Sequence, residues 1–537
     1  MNSVIFNPLE EFEGKYKNLH FEKTDAFFNE LVKHSGVNIE ENRATVKEYN
    51  EYRENLKKLK KKLTLFKVLR VLMCITVILI PLVILKTTPK IKALKSEIEL
   101  ADNKAEELLS LANRQMAPLN ALFTDRDATA LIEATIPNLD FESCFSAKQE
   151  EDMKINYDFY EFGGEEASTV DVLAGHYNEN PFLFENKLVH TMGTETYHGY
   201  KTITWTETYR DSNGRLQTRR RSQTLHATVV KPKPFYSTQV VLNYCAQGGP
   251  ELCFTRDATH LERKSEKEIE RYVKKGEKRL KRKTDKAIGN NSDFTSMSNT
   301  DFEVLFDALD RTNEVQFRTL FTPLAQTNMV DLILSKTSFG DDFNFIKMKR
   351  TNQIVTNHSQ GRPLILTAGN YYSYSFDVIS ANFIGKNVGF FKDVYFDFAP
   401  VWAIPIYQER PVHSLKPIPD YARIYSAKEC EALANAAPME YLVHPDTKTN
   451  AILKARYVDT RERVEETVIT AYSYDIEGRV DYVSVYGGDG RFHSVAVPWD
   501  EYIPLEAQNS FYIAEEGIVK NKNAIAVRNG LNIYSAN

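Results

Sequence analysis

The run Val71–Leu85, VLMCITVILIPLVIL, holds no charged residue, and the chain contains no second run like it. An apolar stretch of this length goes into a bilayer or into a protein core, and both choices constrain everything around it. Spanning a bilayer takes roughly 17–25 apolar residues, more than the 15 present here. Extending back to Leu63 supplies the length and takes in Lys67 and Arg70. Both can reach the headgroups with their stems still in apolar surroundings. Pro81 is compatible with a membrane helix. We therefore read one transmembrane helix at about 63–85, with Lys67, Arg70 and Lys86 at the membrane interface. A buried core helix is the competing reading, but lysines on both flanks and the aliphatic run Val77–Ile80 favour the bilayer. The segment lies too far from the N-terminus for a cleavable signal peptide and is followed by no small-residue cleavage site.

The flanks suggest how the segment is carried. Tyr49, Tyr52, Leu56, Leu59, Leu63 and Phe66 recur at 3-4 spacing, as do Ile91, Leu94, Ile98, Ala101, Ala105 and Leu108. Such spacing makes a narrow apolar seam on each helix. The seams predict helical stalks that either self-associate or pack on their own chain. Arg53–Arg70 holds eight basic residues and Lys86–Asn103 four. That asymmetry predicts a cytoplasmic N-terminus and a large domain outside.

About 420 residues follow the second stalk, enough for one or two sizeable cores. The net charge of −5 over 537 residues names no partner class. Tyr and Phe outnumber Trp, at 28 and 31 against 3, which favours strands. The five cysteines form no disulfide framework; Cys245 and Cys253 could pair across Gly248-Gly249-Pro250, although separate thiols are the simpler reading.

The fold class expected is α+β: N-terminal helices (1–37), a helical stalk with the membrane helix (38–116), a mixed domain (117–410) and a C-terminal β-rich module (411–537). Thr24–Lys33 reads as a helix stopped by Gly36. Tyr200–Arg210 and Arg215–Val230 read as strands around the turn Asp211–Gly214, ended by Pro232 and Pro234. Ser265–Glu268, Thr300–Glu303 and Ser426–Glu429 read as capping boxes, and Thr322-Pro323 as a helix start. Phe343–Val355 and Leu364–Phe376 read as strands, and Phe390–Tyr407 as an apolar stretch broken by prolines. Thr467–Tyr474, Arg479–Tyr486 and Arg491–Val497 read as a meander turning at Asp475–Gly478 and Gly487–Gly490.

The strongest charged feature is a helix at 263–288. Arg263–Lys286 carries twelve basic and five acidic residues. Lys274, Lys275, Lys278, Arg279, Lys281, Arg282 and Lys283 are the candidate contacts for an anionic surface, either lipid or nucleic acid. A solvated face with internal pairs such as Glu270–Lys274 is the plain alternative. Tyr272 is the only aromatic there, which disfavours nucleic acid. Arg219–Arg221 fits an edge strand blunted by charge. Gly487–Gly490 lacks the helix and lysine of a phosphate loop. No catalytic motif, metal-ligand spacing or cofactor signature is present.

Three stretches, Phe302–Gln326 (FEVLFDALDRTNEVQFRTLFTPLAQ), Tyr197–Trp205 (YHGYKTITW) and Gln223–Tyr236 (QTLHATVVKPKPFY), resemble membrane-anchored proteins of mollicutes and related low-GC Gram-positive bacteria. The resemblance covers Leu119–Ile354. The order of parts is also similar to a wider bacterial family with an N-terminal helix, membrane segments and a mixed α/β domain. That family has two membrane segments; this chain has one. The resemblance implies membrane anchorage and no known activity.

The functional expectation is a single-pass membrane protein whose large domain binds or scaffolds a protein partner, with the lipid bilayer and a second copy through the stalks as further contacts. A membrane-tethered enzyme with a dispersed site and an anionic-lipid or nucleic-acid binder are the alternatives.

Overall fold

The structure is a computed structural model that describes residues 4–74, 80–159, 166–290, 294–411, 416–418, 422–519 and 522–535, with side chains omitted for 69–87. It is α+β, with two antiparallel sheets among the described residues. The chain forms two units, one of residues 1–9, 138–364 and 396–537, the other of 10–137 and 365–395. Residues on both sides of 411 belong to the first of these units, and those after it carry a sheet of their own.

The smaller unit is helical. A short α1 (Pro8–Glu11) and one π-helical turn (Phe12–Tyr16) lead into α2 (Lys17–Ser35). Gly36 ends α2 at φ +64°, as expected. The stalk helices are α3 (Ile39–Cys74) and α4 (Ile80–Asn120). They lie side by side and antiparallel: Lys60 reaches Asp102 at 3.5 Å, Gln115 reaches Thr45 at 3.1 Å, and Lys90 sits over the Phe66 ring. The two predicted seams fill each other, with Tyr49, Leu56 and Leu59 against Ala101, Ala105 and Leu108. This differs from stalks diverging on opposite sides of an anchor. Each seam finds its complement within the chain, so both ends of the apolar segment return to the same end of a hairpin. Residues 75–79 of that segment lie outside the described residues, and among the described residues no helix is long and apolar enough to cross a membrane.

Packed in the same unit are α5 (Asp127–Thr135) and residues 376–395 of the helix Phe376–Trp402. Rings dominate this core: Phe28 and Phe123 stack on Phe383, and His20 stacks on Phe391 at 4.0 Å. His20 Nδ1 also meets Thr135 Oγ1 at 2.9 Å. Burial drives the His20 pKa down to about 4, against a smaller opposing pull from the backbone at Asn387. The folded ring resists protonation that the unfolded ring accepts near 6.5. The stability it confers is complete above pH 6.5 and is lost as pH falls through 4. The shift corresponds to roughly 3 kcal/mol. A His20→Phe variant should flatten the stability profile of this unit between pH 6.5 and 4, read by hydrogen exchange in α2 and α5; a slope equal to wild type would refute the assignment.

The larger unit is built on two sheets. The first comprises β1 (Leu139–Phe141), β2 (Ala167–Tyr177), β3 (Asn180–Arg210), β4 (Leu216–Cys245), β5 (Cys253–Arg256), β6 (Phe343–Met348) and β7 (Thr351–Thr356). Its order is β1-β2-β3-β4-β7-β6-β5. Between and beside these strands run α6 (Ala147–Tyr157), α7 (Glu266–Gly289), α8 (Thr300–Phe306), α9 (Glu314–Leu320), α10 (Pro323–Leu334) and residues 396–402 of α11 (Phe376–Trp402). The C-terminal part adds α12 (Ala427–Asn435) and a sheet of β8 (Ile452–Arg461), β9 (Val464–Tyr486), β10 (Phe492–Glu515), β11 (Ala526–Arg528) and β12 (Leu531–Ser535), ordered β11-β12-β10-β9-β8.

Two hairpins far exceed the usual strand of about 5–6 residues. β3 has 31 residues and β4 has 30, turning at Asp211, whose Oδ1 accepts from the backbone of Asn213 and Arg215. Pro232 and Pro234 do not end β4: they face Thr194 and Met192 across the hairpin, while β7 pairs β4 only over Leu242–Cys245. Prolines two apart point the same way, so both can turn their missing N–H toward an open edge. Likewise Asp475–Gly478 is no turn; Asp475 pairs with Ile503 and Gly478 with Asp500 inside the β9–β10 ladder. The expected turn at Gly487–Gly490 is present.

The outer halves of these hairpins stack into a two-layer arm, with Ile203, Leu225 and Ala227 against Val495 and Val497. Gly199 permits the approach: a Cβ there would stand 2.2 Å from the Ala496 carbonyl oxygen. Lys231 clamps the layers, pairing with Asp481 at 2.6 Å and lying over the Trp499 ring.

The helix starts follow their caps with two adjustments. Ser265 forms its capping box and Thr322 caps α10. At α8 the cap is Asn299, one residue earlier than expected, because Glu303 turns to Arg311. Ser426 caps α12, but Glu429 does not close the box, since its carboxylate takes the Phe145 N–H and Arg528 instead. Leu364–Phe376 is loop with one 3-10 turn, and 390–402 is helix. Pro400 falls in the last turn of α11, so the predicted break does not occur.

Candidate functional site

The basic helix α7 opens with Ser265 and Glu268 capping each other and buries one face. Leu280 and Ala287 are buried, with Phe294 packed beside them, and a Cβ on Gly276 would collide with Val304 of α8. This packing orients the charges. Lys283 is half-buried; its ammonium donates to the Leu309 carbonyl and lies over the Phe294 ring. Burial is the main cause that lowers its pKa, with Arg311 adding to it. Arg279 pairs with Asp307 of the following loop. These two cations thus make contacts within the chain; Arg279 remains exposed, and Lys283 is half-buried.

The other five candidates, Lys274, Lys275, Lys278, Lys281 and Arg282, are exposed. Among the described residues none of them forms an ion pair, and the Glu270–Lys274 pair is not made. At 100° per residue they share one third of the helix circumference with Arg271. A groove of about 410 Å³ runs along this stripe, lined by Tyr272, Lys275, Gly276, Lys278, Arg279 and Arg282. Lys264 covers the Tyr272 ring at 5.0 Å. Of the membrane-interface candidates, Lys67 is exposed on α3, whereas the side chains of Arg70 and Lys86 lie outside the described residues.

The interior holds charge clusters that local sequence did not signal. Glu185 is fully buried between Lys428 at 2.7 Å and Lys187 at 3.3 Å and accepts from Asn243 Nδ2. Burial alone would raise its pKa; the two ammoniums outweigh that and hold it at about 2. Arg528 joins Asp171 of β2 to Glu429 of α12. His358 stacks on Phe339 at 3.7 Å, with Asp342 at 2.7 Å on one ring nitrogen and Asp397 at 3.4 Å on the other. Asp397 also receives Ser359 and Arg362. Lys347 is buried, with its ammonium on the carbonyls of Gly248 and Lys349, and burial pushes its pKa down to about 7. In each cluster the polar atoms face one another inside the protein, so these sets of acid, base and hydroxyl work as internal ties.

Two further arrangements reach the surface. His198 and His226 meet at 3.0 Å across the β3–β4 ribbon. A cleft of about 250 Å³ at the root of the arm is lined by Glu166, His190, Tyr236 and Tyr474, among others. Among the described residues no group of three or more His, Cys, Asp or Glu is placed to hold a metal. Cys144, Cys245, Cys253 and Cys430 are free thiols, and burial raises the pKa of Cys245 and Cys430.

Comparison with known proteins adds no relative: no family model, curated protein or solved structure matches the chain.

Proposed function

We propose that the protein is a membrane-docked binding or scaffold protein whose α3–α4 hairpin inserts its apolar end into one leaflet. The observation that carries this reading is the antiparallel pairing of the stalks, which brings Cys74 and Ile80, on either side of the segment's undescribed middle, to the same end of the α3–α4 pair. Val68–Cys74 and Ile80–Leu85 each rise about 10 Å as helix. That depth suits a leaflet of roughly 15 Å and falls short of a 30 Å hydrocarbon core. Exposed Lys57, Lys58, Lys60, Lys61, Lys62 and Lys67 precede the apolar end on α3, where headgroups would lie. A single-pass anchor with the large domain outside would require the paired stalks to separate, exposing both seams.

Two measurements test the reading. In the full chain, Ile78→Asp with Ile80→Asp should move the protein from the membrane to the soluble fraction after carbonate extraction. Retention in the membrane would overturn the proposal. Protease-sensitive tags before Met1 and after Asn537 should be cut, or protected, together on intact cells. Opposite outcomes at the two tags would restore the single-pass arrangement.

A further inference from the structure

We infer that the exposed face of α7 is a second contact with the membrane, a docking strip for a bilayer rich in anionic phosphate headgroups. The inference extends the membrane reading to an element that does not depend on the hairpin. Arg271, Lys274, Lys275, Lys278, Lys281 and Arg282 form a stripe about 17 Å long at 1.5 Å per residue. All six are exposed, and among the described residues none has an ion-pair partner. A solvated helix face would normally use its acids at i,i+4 to neutralise such a stripe. Here Glu266 and Glu268 sit at the N-terminal turn, and Glu270 and Glu277 lie on the flank of the stripe, leaving Asp285 as the one acid at its end.

The mode of contact follows from the other face of the helix. An interfacial helix holds lipid by burying an apolar side. In α7 that side is occupied by Val304, Phe294 and Leu309. The contact is therefore electrostatic, confined to headgroups, and screened by salt. Nucleic acid also carries phosphate, but single strands are held by stacking on free aromatic faces. Tyr272 is the only ring in the stripe, and Lys264 covers it. The groove beside Lys275, Lys278 and Arg282 gives a headgroup phosphate several cations at once.

The test is flotation of the full chain with vesicles of phosphatidylcholine alone, and of phosphatidylcholine with 30% phosphatidylserine, at about 0.1 M and 0.5 M NaCl, the two screening regimes. The neutral vesicles report the hairpin. The increment gained with phosphatidylserine at low salt reports cationic contacts. A cation near an anionic surface strengthens binding roughly fivefold. Lys274→Glu, Lys278→Glu and Arg282→Glu together should cut the increment more than tenfold and leave neutral-vesicle binding unchanged. The glutamine triple at the same positions should give an intermediate loss. An unchanged increment in both triples overturns the inference. So does a triple that loses binding only to a mixed-sequence RNA or to free inorganic polyphosphate. Loss of neutral-vesicle binding through Ile78→Asp with Ile80→Asp concerns the hairpin alone, so the two readings fail separately.

Discussion

Replacing Glu185 with alanine should lower the stability of the larger unit by about 3–5 kcal/mol, the usual cost of stranding a buried charge. The substitution leaves the ammoniums of Lys187 and Lys428 side by side, both nearly inaccessible to water. Asn243 Nδ2 also loses its acceptor. The triple replacement Glu185→Leu, Lys187→Met, Lys428→Met removes every charge and should cost far less. All three tryptophans, Trp205, Trp402 and Trp499, lie in this unit, so urea unfolding followed by fluorescence reads it directly. The pH dependence has a definite sign. The Glu185 carboxyl is held at about 2 in the fold, below its ordinary value of about 4.3. The stability it adds is complete above pH 4.3 and disappears as pH falls toward 2, a window absent from the triple variant. A loss below about 1 kcal/mol in Glu185→Ala would mean that the lysines escape to solvent.

Gly199→Val should unzip the arm while leaving the body of the unit folded. The added Cβ would meet a backbone carbonyl at 2.2 Å and Val497 Cγ2 at 2.8 Å. A carbonyl fixed in the β9–β10 ladder cannot step aside without carrying its hairpin with it. Overpacking a well-filled site costs typically 1–3 kcal/mol, enough to open an interface held by a small apolar patch and Lys231. Hydrogen exchange should accelerate at least tenfold across Val480–Pro498 and Tyr197–Val229, with α12, β8 and β12 unchanged. Equal protection in both hairpins would show that the layers accommodate the side chain.

The sequence was most readable where a local device acts alone. Gly36, Ser265 and Thr322 each end or begin a helix through groups within four residues, and all three positions hold. The seams of α3 and α4 were visible for the same reason, but periodicity does not say which seam faces which. The strand ends were misread because proline is a local signal whose effect depends on a distant neighbour. Pro232 and Pro234 are tolerated where β7 has already left the edge of β4. In α11 the prolines suggested a break in an apolar, aromatic stretch. Ile379, Phe383, Phe390, Val394, Phe398 and Val401 nevertheless recur at helical spacing and are buried. The stripe on α7 was legible as charge, whereas the assignment of Arg279 and Lys283 to internal contacts needed Asp307 and Leu309 in three dimensions. The interior clusters left no local trace: Asp171, Glu429 and Arg528 span most of the larger unit's sequence.

The discontinuous make-up of the helical unit bears on how the chain is made. Its first segment ends at Pro137, but residues 365–395 supply Phe376, Phe383 and Phe391, against which Phe28 and His20 pack. On a ribosome those rings emerge some 250 residues later, a wait of roughly 13–50 s at common elongation rates. During that interval α2 and α5 lack their partner face, while the α3–α4 seams can already close on each other. Synthesis thus favours the α3–α4 hairpin as the first ordered element, closed on itself while the larger unit is still being translated.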